Sequence, residues 1–228
     1  MFLPLRDTNK LVHVDVPFVN YALLGITVLV FLIQFAGGSG LADRIHIEFG
    51  MIPVVVRDLY ESPAPWLPDQ TGLVTYMFLH ADWLHLLSNM LFLWVFGDNI
   101  EDALGHVRYL LFYLACGIFA GLAHLWFYPD STSPLIGASG AVAGVIGAYI
   151  LLYPHVRVWV LSRIVIPLPL AIPAWGVLGL WIATQVFTVL VGGDQGVAWW
   201  AHIGGVLAGG VLIVLFKRRD VRLFGSGA

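Results

Sequence analysis

The chain has 228 residues, of which 59% are hydrophobic and only 11% are charged. About a quarter of the residues of a soluble domain are charged, so this composition excludes an ordinary soluble protein and predicts a polytopic membrane protein. The formal net charge of −3 excludes nucleic acid as a partner, since no basic surface is large enough to neutralise many phosphates. The single cysteine, Cys116, excludes a disulfide framework.

Apolar stretches of membrane-spanning length recur along the chain and predict six spans in a single domain over residues 18–216. Residues 1–17 are expected to form a polar N-terminal leader, and residues 217–228 a C-terminal tail. The predicted spans are Phe18–Ala36, Trp83 to about Gly105, Val107–Tyr128, Ser139–Tyr153, Ile166–Val191 and Val197–Phe216. The expected fold is therefore an all-α integral membrane protein, a bundle of six transmembrane helices.

The longest connection between spans, Gly37–Asp82, is acidic but also carries apolar patches at residues 51–56 and 73–79. Together with Trp66, these patches predict a loop that is partly embedded in the membrane rather than a solvated linker.

Lysine and arginine residues set the predicted orientation. Six spans put four segments on one side of the membrane: the two termini, the turn between spans two and three, and the loop between spans four and five. These segments carry nine basic residues. The opposite side carries only Arg44 and Arg57. Basic residues favour the cytoplasm, so both termini are predicted to be cytoplasmic. The compact size and the lack of a long transit peptide favour a prokaryotic plasma membrane.

Two short spans place a serine and a histidine at similar depth. The fourth span has fifteen residues, Ser139 to Tyr153, and the stretch from His202 to Phe216 is equally long. At ~1.5 Å per residue each stretch covers roughly 22 Å, less than the ~30 Å hydrocarbon core. Both side chains are therefore expected below the outer surface, in the half of the membrane that also holds His85 and Asn89.

These residue types allow acyl transfer. A serine hydroxyl becomes a nucleophile when a histidine within hydrogen-bond reach takes its proton. Small residues at helical spacing after Ser139 (Ala143, Gly147) and after His202 (Gly205, Gly209) predict close packing of the fourth and sixth spans. Asn89 and His85, four residues apart on the second span, and the N–H groups at the start of the fourth span could bind an oxyanion.

Other interpretations of these residues remain open. A lone serine is more often a packing residue, and a lone histidine can be a hydrogen-bonded bundle residue. His80, His85 and His202 could instead bind a metal or haem, although no His-Glu-x-x-His motif occurs and a spacing of five suits one helical face poorly. Four acidic residues are expected to have structural roles. Asp98, Glu101 and Asp102 would cap the cytoplasmic end of span two, and Asp194 would lie in a loop.

Three motifs in this order resemble those of the rhomboid intramembrane serine proteases: His80-x4-His85-x3-Asn89, Gly137-x-Ser139-Gly140 and Ala201-His202-x2-Gly205-x3-Gly209. The resemblance covers about residues 71–210. It implies that Ser139 is the nucleophile and His202 the general base, that Asn89 and His85 join backbone N–H groups in an oxyanion hole, and that His80 is a structural or water-organising residue. The supporting glycines would be Gly137, Gly140, Gly205 and Gly209.

The resemblance also implies the substrate and the gate. Substrates would be single-span membrane proteins, cleaved near the outer face within the lipid, without a cofactor or a metal. The fifth span and the loop 192–200 would form a lateral gate and cap, with Trp199 and Trp200 over the site. Some members carry a tyrosine one turn after the nucleophile; here that residue is Ala143, so His202 must be oriented otherwise. The Trp-Arg pair of many first loops is also missing.

Two other functions compete with proteolysis. A non-catalytic relative would hold transmembrane clients without cutting them, but client binding needs neither Ser139 nor His202. A small transporter would show internal repeats and interrupted helices in both halves, which this sequence lacks.

Overall fold

The computed structural model describes residues 2–163, 167–192, 198–225 and 227; the side chains of residues 2, 162, 163, 167 and 168 are not described. The described chain is mostly helical. Its helices are α1 (Phe18–Ala36), α2 (Gly38–Phe49), α3 (Pro53–Val56), α4 (Gly72–Thr75), α5 (Trp83–Leu104), α6 (His106–Phe127), α7 (Ser139–Leu152), α8 (Ala174–Leu190) and α9 (Trp199–Phe216).

The apolar helices coincide with the predicted spans. Among the described residues, α1, α6 and α9 are long and apolar enough to cross a membrane, and α7 and α8 are shorter apolar helices. Helix bounds predicted for the first four spans are confirmed within two residues. The predicted starts of the last two spans, Ile166 and Val197, lie outside the described residues. The chain is an integral membrane protein.

A small sheet corrects the expectation of an all-α chain. Strand β1 (Phe2–Asp7) pairs antiparallel with β2 (Arg157–Arg163), which pairs antiparallel with β3 (Pro167–Pro173). The predicted leader is therefore partly a strand, and the predicted fifth span begins with a strand. Helix α8 starts only at Ala174, because the prolines of β3 lack the N–H groups that a helix interior needs.

Four segments that the sequence assigns to one membrane side meet at one end of the molecule. Strand pairing joins the leader to the connection between α7 and α8. Arg218 N–H donates to the carbonyl of Ala103, and the His13 ring contacts the carboxylates of Asp102 and Asp220 at 3.2 and 2.9 Å. The C-terminal segment and the α5–α6 turn therefore lie beside the leader.

Buried carboxylates of α5 anchor the start of the chain, which corrects their predicted role as caps of their own helix. Glu101 accepts hydrogen bonds from the N–H groups of Val19 and Asn20, at 3.1 and 2.7 Å. Asp102 accepts from three consecutive N–H groups of the leader, those of residues 12–14. The first N–H groups of a helix have no intrahelical partner and attract anions, so Glu101 stabilises the first turn of α1.

Helix α7 is the central helix of the bundle. Every residue from Gly140 to Tyr149 is buried, as expected for a helix that is apolar on all faces. The predicted close packing on α9 is confirmed: a Cβ atom added at Gly205 or Gly209 would lie 2.0 Å from the carbonyl oxygen of Gly140 or Gly144. The predicted stripe of α7 lies at this contact as well. A Cβ atom added at Gly205 would lie 3.2 Å from Cβ of Ala143, and one added at Gly147 would lie 2.4 Å from the carbonyl oxygen of Val206 on α9. Gly140 and Gly144 extend this contact surface of α7.

The long connection between α1 and α5 packs against the bundle, while its partial embedding in the membrane stays a prediction. Met51 and Met77 are fully buried, whereas Trp66 is 64% exposed. Arg57 ties this connection to the segment between α6 and α7 through the carbonyl of Pro129 and the carboxylate of Asp130. These contacts hold the loop in the absence of a Trp-Arg pair.

Candidate active site

The segment that precedes Ser139 is fixed by the long first loop. Met51 and Leu135 exchange two backbone hydrogen bonds of 3.1 and 2.9 Å, and the Gly137 N–H donates to the carbonyl of Tyr76 at 2.9 Å. The Ala138 N–H donates to Nε2 of His80 at 3.4 Å. Since Nε2 accepts this hydrogen bond, the buried ring of His80 supports the residue that precedes Ser139 at the start of α7.

Gly137 is required for its backbone conformation and for space. Its φ of +117° lies in the region that favours glycine, and an added Cβ would lie 2.6 Å from Nε2 of His85. The ring of His85 can therefore lie directly over the turn that leads into α7.

Ser139 and His202 meet across the α7–α9 contact. Ser139 is the first residue of α7, and His202 lies in the first turn of α9. Nε2 of His202 lies 2.8 Å from Oγ of Ser139, a normal hydrogen-bond distance. Glycine packing below this pair, at Gly205 against the Gly140 carbonyl, holds the two helices close enough for the contact.

The other ring nitrogen of His202 has a partner on α8. Nδ1 of His202 lies 2.7 Å from Oε1 of Gln185, a side chain that is only 7% exposed. The indole rings of Trp181 and Trp199 flank the imidazole, with centroids 5.9 and 6.0 Å away. The ring is thus enclosed by α8 and by the start of α9.

A cavity of about 750 Å³ opens beside this pair. Its lining includes Ser139, His202, Asn89 and His85, and it also includes polar groups of Asp82, Ser131 and Ser133. Those polar groups can hold water, which a hydrolytic reaction consumes. The cavity therefore brings four of the predicted site residues to one space.

Asn89 and His85 share the cavity wall on α5, as their spacing predicts. The Asn89 Nδ2 group donates one hydrogen to the His85 carbonyl at 2.9 Å, and its second hydrogen can serve another acceptor. The rings of His80 and His85 contact edge to face, with centroids 4.9 Å apart. Asn89 is 5% exposed, so a hydrogen bond that it donates is little weakened by water.

The predicted cap is only partly described. Trp199 contacts the His202 ring, but Trp200 stacks on Phe127 of α6 with ring centroids 3.4 Å apart. The expectation that both tryptophans cover the site is therefore wrong for Trp200. Residues 193–197 of the predicted cap, including Asp194, lie outside the described residues.

Within the described part of the chain, no group of three or more His, Cys, Asp or Glu side chains is arranged to hold a metal ion. Two of the three histidines considered as metal ligands have protein partners: His80 accepts from the Ala138 N–H, and His202 contacts the side chains of Ser139 and Gln185.

Sequence reasoning missed three residues of the site: Gln185, which contacts His202, and Trp181 and His124, which line the cavity. Gln185 carried a usable signal, because a lone amide within an apolar span must find a polar partner. Its partner could not be read from the sequence, since β3 shifts the start of α8.

Comparison with known families decides where the chain belongs. The model of the Rhomboid domain matches residues 68–219, a range that includes Ser139, His202, Asn89, His85 and His80. This chain belongs to the rhomboid family. The match covers α5 to α9 and the last part of the long first loop.

Several named rhomboid proteins are similar to this chain. The mitochondrial Rhomboid protein 1 of Saccharomyces cerevisiae is 29% identical over 83% of this chain and 50% of its own length. Rhomboid protease GluP of Bacillus subtilis is 34% identical over 58% of this chain and 24% of its own length. Rhomboid protease AarA of Providencia stuartii is 31% identical over 61% and 53%. The chain thus spans about half or less of the length of these relatives.

Proposed function

We propose that this rhomboid protein is an intramembrane serine endopeptidase that uses a Ser139–His202 dyad to cut transmembrane segments of other membrane proteins. The observation that carries the proposal is the 2.8 Å contact between Oγ of Ser139 and Nε2 of His202 at the wall of a polar cavity. Membership of a family that includes named proteases supports it.

In the acylation step, Nε2 of His202 takes the hydroxyl proton as Oγ of Ser139 forms a bond to the scissile carbonyl carbon. The carbonyl π electrons move to oxygen and produce a tetrahedral oxyanion. Collapse of this intermediate breaks the C–N bond, and His202 gives its proton to the leaving amine. Water from the cavity then attacks the acyl-serine by the same sequence, which releases the new carboxyl group and restores Ser139.

The oxyanion would be bound by groups that converge on the cavity. Donors are the backbone N–H groups at the start of α7, the free hydrogen of Asn89 Nδ2 and the ring of His85. Such fixed donors stabilise the transition state by several kcal/mol when water is excluded. The positive end of α7 adds to this stabilisation.

The proposed topology has six spans, with both termini in the cytoplasm and the cavity open to the extracytoplasmic side. The gathering of the leader, the α5–α6 turn, the α7–α8 connection and the C-terminal segment at one end supports it. Those segments carry most of the basic residues, which favour the cytoplasmic side. Residues 18–216 would then form one membrane domain in a prokaryotic plasma membrane, in contact with lipid and with transmembrane substrates.

Cleavage of a single-span reporter in proteoliposomes tests the proposal. We expect the wild type to cut the reporter at one site, and Ser139→Ala and His202→Ala to lose cleavage while keeping their thermal stability. Ser39→Ala, at an exposed serine of α2, is the matched control and should cut normally. Binding of the reporter without cleavage by the folded wild type would contradict the proposal and identify a non-catalytic client-binding relative.

A further inference from the structure

A single buried polar side chain, Gln185, joins the outer half of α8 to α9. Helix α8 is described along its whole length, and from Gly179 onward Gln185 is its one buried residue. Leu180, Phe187 and Leu190 on the same half are exposed, as lipid-facing residues are. An amide enclosed among apolar residues requires hydrogen-bond partners, because leaving its groups unsatisfied in the membrane is costly.

The hydrogen bonds of Gln185 fix the orientation of its amide. Nε2 is a donor, and it lies 3.3 Å from two acceptors, the carbonyl of Trp181 and Oγ1 of Thr184. Oε1 is therefore the atom that faces Nδ1 of His202, at 2.7 Å. Because Oε1 can only accept, Nδ1 must carry the hydrogen.

This arrangement selects one tautomer of a neutral histidine. When Nδ1 carries the hydrogen, Nε2 presents a lone pair, and this is the atom 2.8 Å from Oγ of Ser139. The opposite tautomer would point an N–H group at the serine and could not take its proton. Helix α7 offers only the methyl group of Ala143 one turn after Ser139, so the orienting group comes from α8 instead.

We propose that Gln185 is a positioning residue that holds His202 in the tautomer and ring orientation required of a general base. The inference rests on the proposed function of the Ser139–His202 pair. It makes the readiness of the base depend on the packing of α8 against α9, rather than on α9 alone. The titratable groups that share the cavity with His202 are His85 of α5, His124 of α6 and Asp82.

Kinetics of two substitutions separate orientation from packing. Gln185→Met keeps the side-chain length but removes the acceptor, and we expect kcat to fall about 10²-fold with little change in KM, within the range that general base catalysis contributes. Gln185→Glu keeps an acceptor and should retain most of kcat. Its carboxylate also favours the imidazolium, so the acid limb of its pH–rate profile should move to higher pH. Thr188→Val, one turn further along α8, is the control and should match the wild type.

The inference would be overturned if all three variants had the kcat and the pH–rate profile of the wild type. It would also be overturned if Gln185→Met and Gln185→Glu lost kcat equally and in proportion to a loss of thermal stability. A readout independent of cleavage is the ¹⁵N spectrum of histidine-labelled protein, with His202 assigned by difference from His202→Asn. We expect Nδ1 of His202 to be protonated in the wild type and the tautomers to mix in Gln185→Met. The same tautomer in both proteins would refute the role of Gln185, whereas the expected spectra from an inactive protein would refute only the proposed protease function.

Discussion

Gly205 provides a quantitative test of the idea that backbone contact between α7 and α9 holds the serine and histidine together. In Gly205→Ala the new Cβ would lie 2.0 Å from the carbonyl oxygen of Gly140, and carbon atoms of side chains essentially never approach closer than 3.0 Å. The helices must therefore separate by about 1 Å at this point. Gly140 follows Ser139 directly, so the 2.8 Å contact to His202 would lengthen to nearly 4 Å, beyond a hydrogen bond.

The expected consequences are a loss of cleavage of about 10²-fold and a loss of stability of about 1–3 kcal/mol, the usual cost of overpacking. The assay is reporter cleavage in proteoliposomes together with thermal unfolding in detergent. Gly210→Ala is the matched control, since its Cβ would meet only Leu151, at an ordinary 3.5 Å. The reasoning is refuted if Gly205→Ala cuts as fast as Gly210→Ala.

Two further predictions concern the oxyanion donors and the leader. Asn89→Ala should lower kcat by about 10²–10³-fold with little change in KM, because the lost donor acts on the transition state. Steady-state cleavage measures this, and an unchanged kcat would show that Asn89 does not bind the oxyanion. Burial, and to a lesser extent the nearby carboxylate of Asp98, raises the pKa of Asp7 to about 7. Folding therefore takes up a proton between about pH 4 and 7, and this contribution to stability is lost as the pH rises through that range. The loss can reach about 4 kcal/mol at 1.36 kcal/mol per pKa unit, and Asp7→Asn should remove it. Thermal unfolding of both proteins across this range measures the effect, and equal slopes would contradict it.

The sequence predicted helices best where hydrophobic length alone determines the structure. The bounds of α1 follow from a run of 19 residues without a charge, and the predicted depth of Ser139 rests on the shortness of α7. The strands were missed because the leader is too short to show an alternating pattern and because β2, its pairing partner, lies about 150 residues away in sequence. Three prolines near the start of the fifth span were the available sign that its helix begins late.

The meeting of Ser139 and His202 was predictable because each follows from helix length and from small residues at helical spacing. The partner of Nδ1 was not, since it depends on the rotation of α8 about its own axis. The partners of Glu101 and Asp102 were not predictable either. Their position at the end of α5 indicates helix capping, but they accept hydrogen bonds from N–H groups of α1 and the leader, some 80–90 residues away in sequence. Contacts between distant segments that rest on one side chain leave no periodic pattern in the sequence.

The most direct test of the central proposal is covalent labelling with a fluorophosphonate serine probe, followed by mass spectrometry of the modified peptide. We expect one adduct per chain, on Oγ of Ser139, that is lost in Ser139→Ala and in His202→Ala. A folded protein that forms no adduct, or an adduct on another serine that survives both substitutions, would contradict the assignment of Ser139 and His202 as nucleophile and base.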